Sequence, residues 1–348
     1  MRVTIKSIAE KAGVSFQAVS AVLNRKGYSR VSAEKRKLIE SLAREMGYAP
    51  NMSARILSGQ RSRLLGVIAD TQAPYTQKEV MIHLEEAAAA MGYRILVSEL
   101  HDDAEQLFSS YRILQQHSVE GTIVLSFDYP EFREDIRGFF AGKKHLVLFD
   151  GPEIPGVYHV LPETAAVMEE AVGRFAAEKR RKIMLCLSAC VNRETYAVAE
   201  RIRGFQRGLQ GRTGEIVFLS EKDDSPERIA EAAAALIRDR IIPEKFDAVI
   251  AENDSIALAL VSRLTAAGVR IPEEVSVLGY NNESFCQLTH PGITSVDLKS
   301  GELSRLMLDM LLNPVERRTS ALRVKPEFFI RDSAFSRSGT SGENIVNQ

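Results

Sequence analysis

Short, almost continuous apolar runs recur through most of this chain and alternate with stretches of helical periodicity. One series comprises residues 64–70, 94–100, 121–127 and 145–150, and a second comprises residues 182–188, 215–220, 247–253 and 275–280. Strands of this kind, separated by helices, form parallel sheets that helices cover on both faces. Because the series restarts, we expect an α/β body of two similar lobes over residues 64–333.

The carboxyl ends of these predicted strands carry several polar or aromatic residues. Ligands of open parallel sheets bind just beyond these ends. The candidate ligand-binding residues are Asp70, Phe127, Asp150, Asn253 and Asn281. Polar groups with a few aromatic rings suit a hydroxylated small molecule.

The charge of the chain is distributed unevenly. The 348 residues have a net charge of −1, but residues 1–63 hold 13 Lys and Arg against 4 Asp and Glu. The remaining 285 residues hold 32 basic and 42 acidic groups. A basic head on an acidic body indicates that the head meets phosphates. The alternative is a solvated helical surface that happens to be basic.

Residues 5–24 have the pattern of a helix-turn-helix. Thr4 can cap the first helix, Gly13 suits the left-handed residue that ends it, and Ser15 can cap the second. A third helix over residues 33–46 closes the unit, giving a head over residues 1–48. Two short helices joined by a tight turn form the unit that reads the major groove. An ordinary helical hairpin is the alternative.

The exposed face of the second helix offers groups that can contact DNA. Gln17 can make a bidentate contact to adenine, and Phe16 can touch a thymine methyl group. Ser15 and Ser20 are better placed for phosphate oxygens. Simple exposure to solvent is the alternative for each of these side chains.

Residues 49–63 connect the head to the body. Asn51 to Ser58 could form two helical turns that end at Gly59, but eight residues are too few for a stable free helix. Such a segment folds against a partner, with Leu57 as a wedge in a minor-groove base step and Ala54 packed below it. On composition alone, a plain linker is the better interpretation of this segment.

Other function classes receive little support from the sequence. The chain has neither a phosphate-binding glycine motif nor a nucleophile elbow, so we expect no enzyme and no cofactor. Cys186 and Cys190 are four residues apart, but structural burial accounts for them better than zinc, and no metal is expected.

No apolar run is long enough for a membrane span, and the charged start lacks a secretory signal. With three cysteines, a cytoplasmic location is expected, and residues 334–348 are expected to be disordered.

The motifs together resemble the LacI/GalR family of bacterial transcriptional regulators. The resemblance extends from about residue 4 to residue 333. It rests on IAEKAGVSFQAVSAVLN, GYAPNMSARILSG, RIRGF (201–205), ENDSIALALVSRLTAAGVRIPEEVSVLGYNN (252–282), HPGITSV (290–296) and FFIRDS (328–333). It implies a homodimer that binds palindromic operator DNA, with the second helix of each head in a major groove. It also implies a periplasmic-binding-protein-like body that binds a small-molecule effector.

The resemblance assigns roles to residues of the head. Phe16, Gln17 and Ala21 fall on base-reading positions, and Leu57 falls on the hinge leucine that partly intercalates. Ala21 departs from the family, because many members have a longer hydrogen-bonding residue there. The residues expected to contact DNA are Thr4, Ser15, Phe16, Gln17, Ser20, Ala21, Asn24, Asn51, Ala54 and Leu57.

The resemblance also assigns roles in the body. Arg201 matches the family's effector-binding arginine, and Asn253 matches a polar pocket position. Asn281 stands where most members have Asp, and an amide offers donors that a carboxylate lacks. Residues 157–164 (VYHVLPET) replace a more usual Asp–Asn pair, which alters that pocket wall. Thr195 is a further candidate, with a helix cap as its alternative role.

The sequence therefore predicts a ligand-controlled DNA-binding repressor whose effector is a sugar or a sugar derivative. The competing hypothesis is a solute-binding protein with an accessory helical head and no specific DNA binding. The identity of the effector, the operator sequence and the sign of the response do not follow from the sequence.

Overall fold

A computed structural model describes residues 3–23, 31–48, 59, 61–70, 75–100, 103–220, 224–313 and 320–335. The chain divides into two compact units, Met1–Ser62 and Arg63–Gln348.

The first unit contains three helices, α1 (Ile5–Ala12), α2 (Phe16–Leu23) and α3 (Ala33–Glu45). Thr4 begins α1 with a capping box: its hydroxyl accepts from the Ser7 N–H, and its own N–H donates to the Ser7 hydroxyl (3.0 Å). Gly13 follows in the left-handed conformation (φ 63°), which turns the chain towards α2. The three helices share one buried apolar core, so the predicted helix-turn-helix is confirmed.

The second unit contains two sheets of six strands. The first sheet consists of β1 (Leu64–Asp70), β2 (Arg94–Leu100), β3 (Thr122–Val124), β4 (Leu146–Phe149), β5 (Tyr158–Pro162) and β11 (Ala321–Val324). The second sheet consists of β6 (Lys182–Leu187), β7 (Thr213–Phe218), β8 (Ala248–Ala251), β9 (Ser276–Tyr280), β10 (Thr294–Asp297) and β12 (Glu327–Phe329).

The strand orders are β11-β5-β4-β3-β1-β2 and β12-β10-β9-β8-β6-β7. All neighbours are parallel except β10 and β12. The chain passes from one sheet to the other after β5, after β10 and between β11 and β12. We call the lobe built on the first sheet the N-lobe and the lobe built on the second the C-lobe.

Helices cover both faces of each sheet. Those of the N-lobe are α4 (Tyr75–Ala90), α5 (Ala104–Gln116), α6 (Arg133–Phe140) and α11 (Ser300–Leu312). Those of the C-lobe are α7 (Thr164–Ala177), α8 (Tyr196–Leu209), α9 (Pro226–Leu236) and α10 (Asp254–Ala266). Short 3-10 turns lie at Pro130–Phe132 and Ser284–Gln287, and a π-helical turn at Ile237–Ile241 follows α9. The predicted two-lobed α/β body is therefore confirmed.

Some strands differ from their predicted extents. The run 121–127 forms a strand only over Thr122–Val124, so Phe127 lies beyond the strand end. Residues 157–164, interpreted as an altered pocket wall, contain β5 within the first sheet, between β4 and β11. The buried His159 and Pro162 interrupt the apolar run there, which hid this strand from the sequence pattern.

Two glycines allow the close packing that positions the site. A Cβ on Gly204 of α8 would lie 2.2 Å from the carbonyl oxygen of Ala165, so the RIRGF glycine lets α8 lie directly against α7. A Cβ on Gly279 of β9 would lie 2.0 Å from Oδ1 of Asp254, a buried carboxylate. Asp254 in turn accepts from the Ser295 hydroxyl (2.6 Å) and the Glu283 N–H (2.7 Å).

Candidate functional site

The second helix of the head exposes the side chains predicted to read bases. Phe16 is 53% exposed and Gln17 is exposed, whereas Val19 on the opposite face is fully buried. The Ser15 hydroxyl accepts from the Ala18 N–H (3.2 Å), so it caps α2 as expected. An exposed ring and an exposed carboxamide at the start of a helix can reach base edges in a major groove.

The other predicted DNA contacts divide into two groups. Ser20 and Ala21 are half-buried on α2, and Thr4 uses its hydroxyl within the capping box. The remaining positions lie outside the described residues, namely Asn24, Asn51, Ala54 and Leu57.

Asp150 lies at the carboxyl end of β4, with its backbone in the left-handed region (φ 47°). Its Oδ1 is buried and has no hydrogen-bond partner among the residues that the structure describes. Burial raises the pKa of this carboxyl to about 7, and the positive charge of Arg201 opposes that rise. A buried acceptor without a partner costs free energy, so Asp150 is suited to receive a hydrogen bond from a ligand.

Arg201 projects from α8 of the C-lobe and interacts electrostatically with Asp150 of the N-lobe. Its Nη1 donates to the carbonyl oxygen of Glu252 (2.6 Å), and its guanidinium lies over the ring of Tyr280, 4.0 Å from the centroid. Its Nε is buried, and the described part of the chain offers it no acceptor. The structure thus brings two predicted effector residues to one place between the lobes, each with an unsatisfied polar atom.

Sequence reasoning missed an acidic residue in this region. Glu252 is 6% exposed and lies at the end of β8, where its Oε2 accepts from the Ser188 N–H (2.6 Å). The Ser188 hydroxyl donates to Asp224 (2.6 Å). Burial raises the pKa of Glu252, while the charge of Arg201 lowers it. Its position at a strand end, next to Asn253, was the signal that could have identified it.

Asp128 of the N-lobe is a second residue that the sequence did not reveal. Its carboxylate binds Arg133 through two hydrogen bonds (2.9 and 3.2 Å), and it also accepts from the N–H of Tyr196, the first residue of α8. Arg133 donates further to the carbonyl oxygen of Glu194. Arg323 on β11 hydrogen-bonds to the Tyr196 side chain. These contacts join the N-lobe to the start of α8 in the C-lobe.

Two predicted pocket residues use their side chains within the protein. Thr195 occupies the N-cap position of α8, but its hydroxyl donates to the carbonyl oxygen of Asn192 (2.8 Å) and makes no capping bond. The Asn253 Oδ1 accepts from the Ile256 N–H (2.9 Å), so it caps α10.

Asp70 ends β1, as predicted, whereas Phe127 lies beyond the end of β3, and the two side chains have different environments. Phe127 is 2% exposed and packs in an apolar core, with its ring 6.3 Å from that of His159 and against the backbone of Gly151. Asp70 is half-buried, and its N–H donates to Oε1 of Gln77 (3.3 Å).

Asn281 lines a polar cavity of about 270 Å³ between the lobes. Its backbone is in the left-handed region (φ 103°). The cavity is also lined by Glu79 and His83 of α4 and by Asp297 and Lys299, where the chain returns to the N-lobe. The other six predicted effector residues are not among those that line it.

The remaining chemistry of the described residues is limited. Within them, no group of three or more His, Cys, Asp or Glu side chains is arranged to hold a metal ion. Cys186 and Cys286 are buried, Cys190 is exposed, and all three are free thiols. Burial raises the pKa of Cys186 to about 12. In the same ranges, no helix is long and apolar enough to cross a membrane.

Comparison with known families matches one segment within each of the two units. Residues 4–51 match the bacterial regulatory proteins of the lacI family, and residues 172–334 match the periplasmic binding protein-like domain. The first unit therefore carries a lacI-family head, and the second contains a periplasmic binding protein-like domain. These matches confirm the interpretation of the chain as a ligand-responsive DNA-binding transcriptional regulator.

Known transcriptional regulators match this chain along most of their length. The HTH-type transcriptional repressor PurR of Photobacterium profundum is 28% identical over 338 residues, which is 95% of this chain and 98% of the relative. The HTH-type transcriptional regulator DegA of Bacillus subtilis is 27% identical over 309 residues, 85% of this chain and 86% of the relative.

Solved structures of two transcriptional regulators share the fold. The Lac repressor dimer bound to operator and the anti-inducer ONPF has a TM-score of 0.82 at 21% identity, covering 97% of this chain and 100% of that chain. The complex of the transcriptional regulator CelR with cellobiose has a TM-score of 0.63 at 23% identity, covering 96% and 100%.

Proposed function

We propose that this chain is a repressor that binds a palindromic operator as a homodimer and responds to a small polar effector, a sugar or a sugar derivative. The observation that carries the proposal is the pair of buried, unsatisfied polar atoms between the lobes, Asp150 Oδ1 and Arg201 Nε. The proposal assigns no catalytic activity to the chain and places it at the bacterial chromosome.

The head supports the DNA-binding part of the proposal. Gln17 and Phe16 are exposed at the start of α2, and the basic charge of residues 1–63 favours contact with phosphates. In the proposed complex, each subunit places α2 in one half-site, so the operator has two-fold symmetry. Leu57, with Asn51 and Ala54, would bind the minor groove at the centre of the operator.

The N-lobe supports the homodimer. Strand β2 is at the edge of the first sheet, and Val97 on it is 44% exposed. Ile82 of α4 and Ile113 of α5 are 52% and 48% exposed, and both helices contact β2. An open edge strand flanked by exposed apolar side chains is a surface that a second subunit would cover.

The cleft supports effector control. A ligand that receives a hydrogen bond from Arg201 and donates one to Asp150 would bridge the C-lobe and the N-lobe. Because it would favour one separation of the lobes, it would shift the conformational equilibrium of the body. If that equilibrium is coupled to DNA affinity, operator and effector must affect each other's binding by the same factor.

The test is selection of binding sites from sheared genomic DNA by the immobilised full-length protein, followed by footprinting of the enriched fragments. The expected result is a symmetric footprint with two half-sites separated by about one helical turn, or a multiple of it. The variant Leu57→Ala should weaken binding to these fragments more than to random DNA, because a wedge acts only on a kinked site.

The competing hypothesis, a solute-binding protein without specific DNA binding, predicts a different outcome. The selection would then enrich no common sequence in any ligand condition. That outcome would overturn the proposed repressor function.

A further inference from the structure

We propose that the ligand held between the lobes is a hydroxylated small molecule that carries a protonated amine, of the amino-sugar class. This inference rests on the effector role proposed above for the cleft. It concerns the charge of the effector, which neither the family nor the fold determines.

The first argument is the balance of charge around Arg201. The charge of this arginine acts on two buried carboxyl groups, Asp150 in the N-lobe and Glu252 in the C-lobe. Three other carboxylates act on these two groups. Asp128 and Glu200 act on Asp150, and Asp224 acts on Glu252.

Two of these three neighbouring carboxylates already have cationic partners. Asp128 binds Arg133, and Glu200 binds Arg203. Among the described residues, Arg201 is the one cation whose charge acts on Asp150 and Glu252, so the site carries an excess of negative charge when both carboxyls are ionised. An added cation would reduce this excess, whereas an added anion would increase it.

The second argument is the pair of unsatisfied atoms. Asp150 Oδ1 is a buried acceptor without a donor, and Arg201 Nε is a buried donor without an acceptor. Arg201 is held by its bond to the Glu252 carbonyl oxygen and by the ring of Tyr280. A ligand that offers an N–H donor beside a hydroxyl acceptor satisfies both atoms. An amine next to a hydroxyl supplies these two groups.

The protonation behaviour of the two carboxyls agrees with this assignment. Burial raises the pKa of Asp150 to about 7 and also raises that of Glu252, so the attraction of Arg201 does not offset burial. A second cation at the site would stabilise both ionised forms. A neutral sugar supplies donors without this charge, and a sugar phosphate would meet repulsion from both carboxylates.

The test is isothermal titration calorimetry of the full-length protein with a matched series of sugars. Glucosamine, galactosamine and mannosamine are each compared with the parent hexose, the N-acetylated sugar and the hexose 6-phosphate. We expect at least one amino sugar to bind about tenfold or more tightly than its three neutral or anionic counterparts, since charge-assisted hydrogen bonds are roughly twice as strong as neutral ones.

Variants connect this preference to the named carboxyls. Asp150→Asn keeps the size of the side chain and removes its charge, so the affinity for the amino sugar should fall to that for the parent hexose. Its affinity for the parent hexose should fall less, because the amide oxygen of Asn still accepts a hydrogen bond from a hydroxyl. Glu252→Gln is a second variant with the same expectation, and it keeps the test decisive if Asp150→Asn fails to fold.

The control variant is Glu244→Gln. Glu244 binds Lys182 (2.9 Å), the first residue of β6, whereas the cleft lies beyond the last residue of that strand. Glu244→Gln should leave the affinities for the amino sugar and for the parent hexose unchanged.

Three results would overturn the inference. A parent hexose, an N-acetylated sugar or a phosphate could bind as tightly as its amino sugar. The preference could persist in both Asp150→Asn and Glu252→Gln. The third result is that no amino sugar binds at about 10 mM, a concentration at which even a millimolar dissociation constant is detected. Operator binding measured on the same preparation separates the hypotheses, because its loss would instead overturn the proposed repressor function.

Discussion

The carboxylate of Asp128, in the N-lobe, accepts a hydrogen bond from the N–H of Tyr196, the first residue of helix α8 in the C-lobe. A side-chain oxygen that accepts from the first turn of a helix is an N-cap. Here the cap comes from the opposite lobe, while Thr195, at the N-cap position in the chain, makes no side-chain capping bond. The start of α8 is therefore capped only when the lobes are close together.

This relationship predicts that Asp128→Ala opens the cleft. The variant loses the cap of α8 and the partner of Arg133, and we expect about 1–2 kcal/mol less stability against urea. We also expect a larger radius of gyration in small-angle X-ray scattering, because the contact joins the two lobes.

Asp103→Ala is the matched control. Asp103 caps α5 within the N-lobe, where it accepts from the Glu105 N–H (2.8 Å). This variant should lose about 1 kcal/mol as well, but its radius of gyration should equal that of the wild type. An unchanged radius in Asp128→Ala would refute the role of Asp128 in lobe closure.

The buried carboxyl of Asp150 predicts a pH dependence of stability. Its pKa is raised by burial from 3.8 to about 7 in the folded protein, so the folded state binds the proton more tightly than the unfolded state. Its contribution to stability is therefore fully present below pH 3.8 and is lost as the pH rises through about 7. The loss is of the order of 4 kcal/mol.

The measurement is the free energy of unfolding of the wild type and of Asp150→Asn between about pH 4 and pH 8. Relative to the variant, the wild type should lose stability as the pH rises through about 7, and the difference should level off above that. A difference that is independent of pH would show that Asp150 ionises normally.

The contact between α7 and α8 predicts opposite effects for two glycines. Gly204→Ala places a methyl group 2.2 Å from the Ala165 carbonyl oxygen, so the helices must separate, with a loss of about 3 kcal/mol. Gly173→Ala, on α7, meets nothing within 4 Å and should gain about 0.5–1 kcal/mol from helix propensity. Chemical denaturation of both variants checks this. Equal effects would contradict the packing argument.

The architecture was accessible from the sequence because its signals are local. The capping residues Thr4 and Ser15 and the left-handed Gly13 mark the head directly. The apolar runs of both lobes indicate strands that are buried on both faces of their sheets. Strand β5 was missed because His159 and Pro162 break the apolar pattern, and β12 was missed because it has three residues and pairs at a sheet edge.

The candidate site was only partly accessible for a physical reason. Asp150 was predicted from its position at a strand end, and Arg201 was predicted from its place in the RIRGF motif. Whether a side chain is available to a ligand depends on its tertiary contacts. In the fold, Asn253 caps a helix and Phe127 is buried in a core. Asp128 and Arg133 act across the lobes. Asp128 is 68 residues from Tyr196 in the sequence, and Arg133 is 61 residues from Glu194.

The central claim is that the head of this chain reads DNA sequence through α2. The most direct test is a fluorescence anisotropy titration of a selected palindromic site and of a scrambled duplex with the wild type, Gln17→Ala and Gln206→Ala, an exposed glutamine of the C-lobe. We predict that Gln17→Ala loses about tenfold or more in affinity for the palindrome only, and that Gln206→Ala binds like the wild type. Equal affinity of the wild type for the palindrome and the scrambled duplex would contradict the claim.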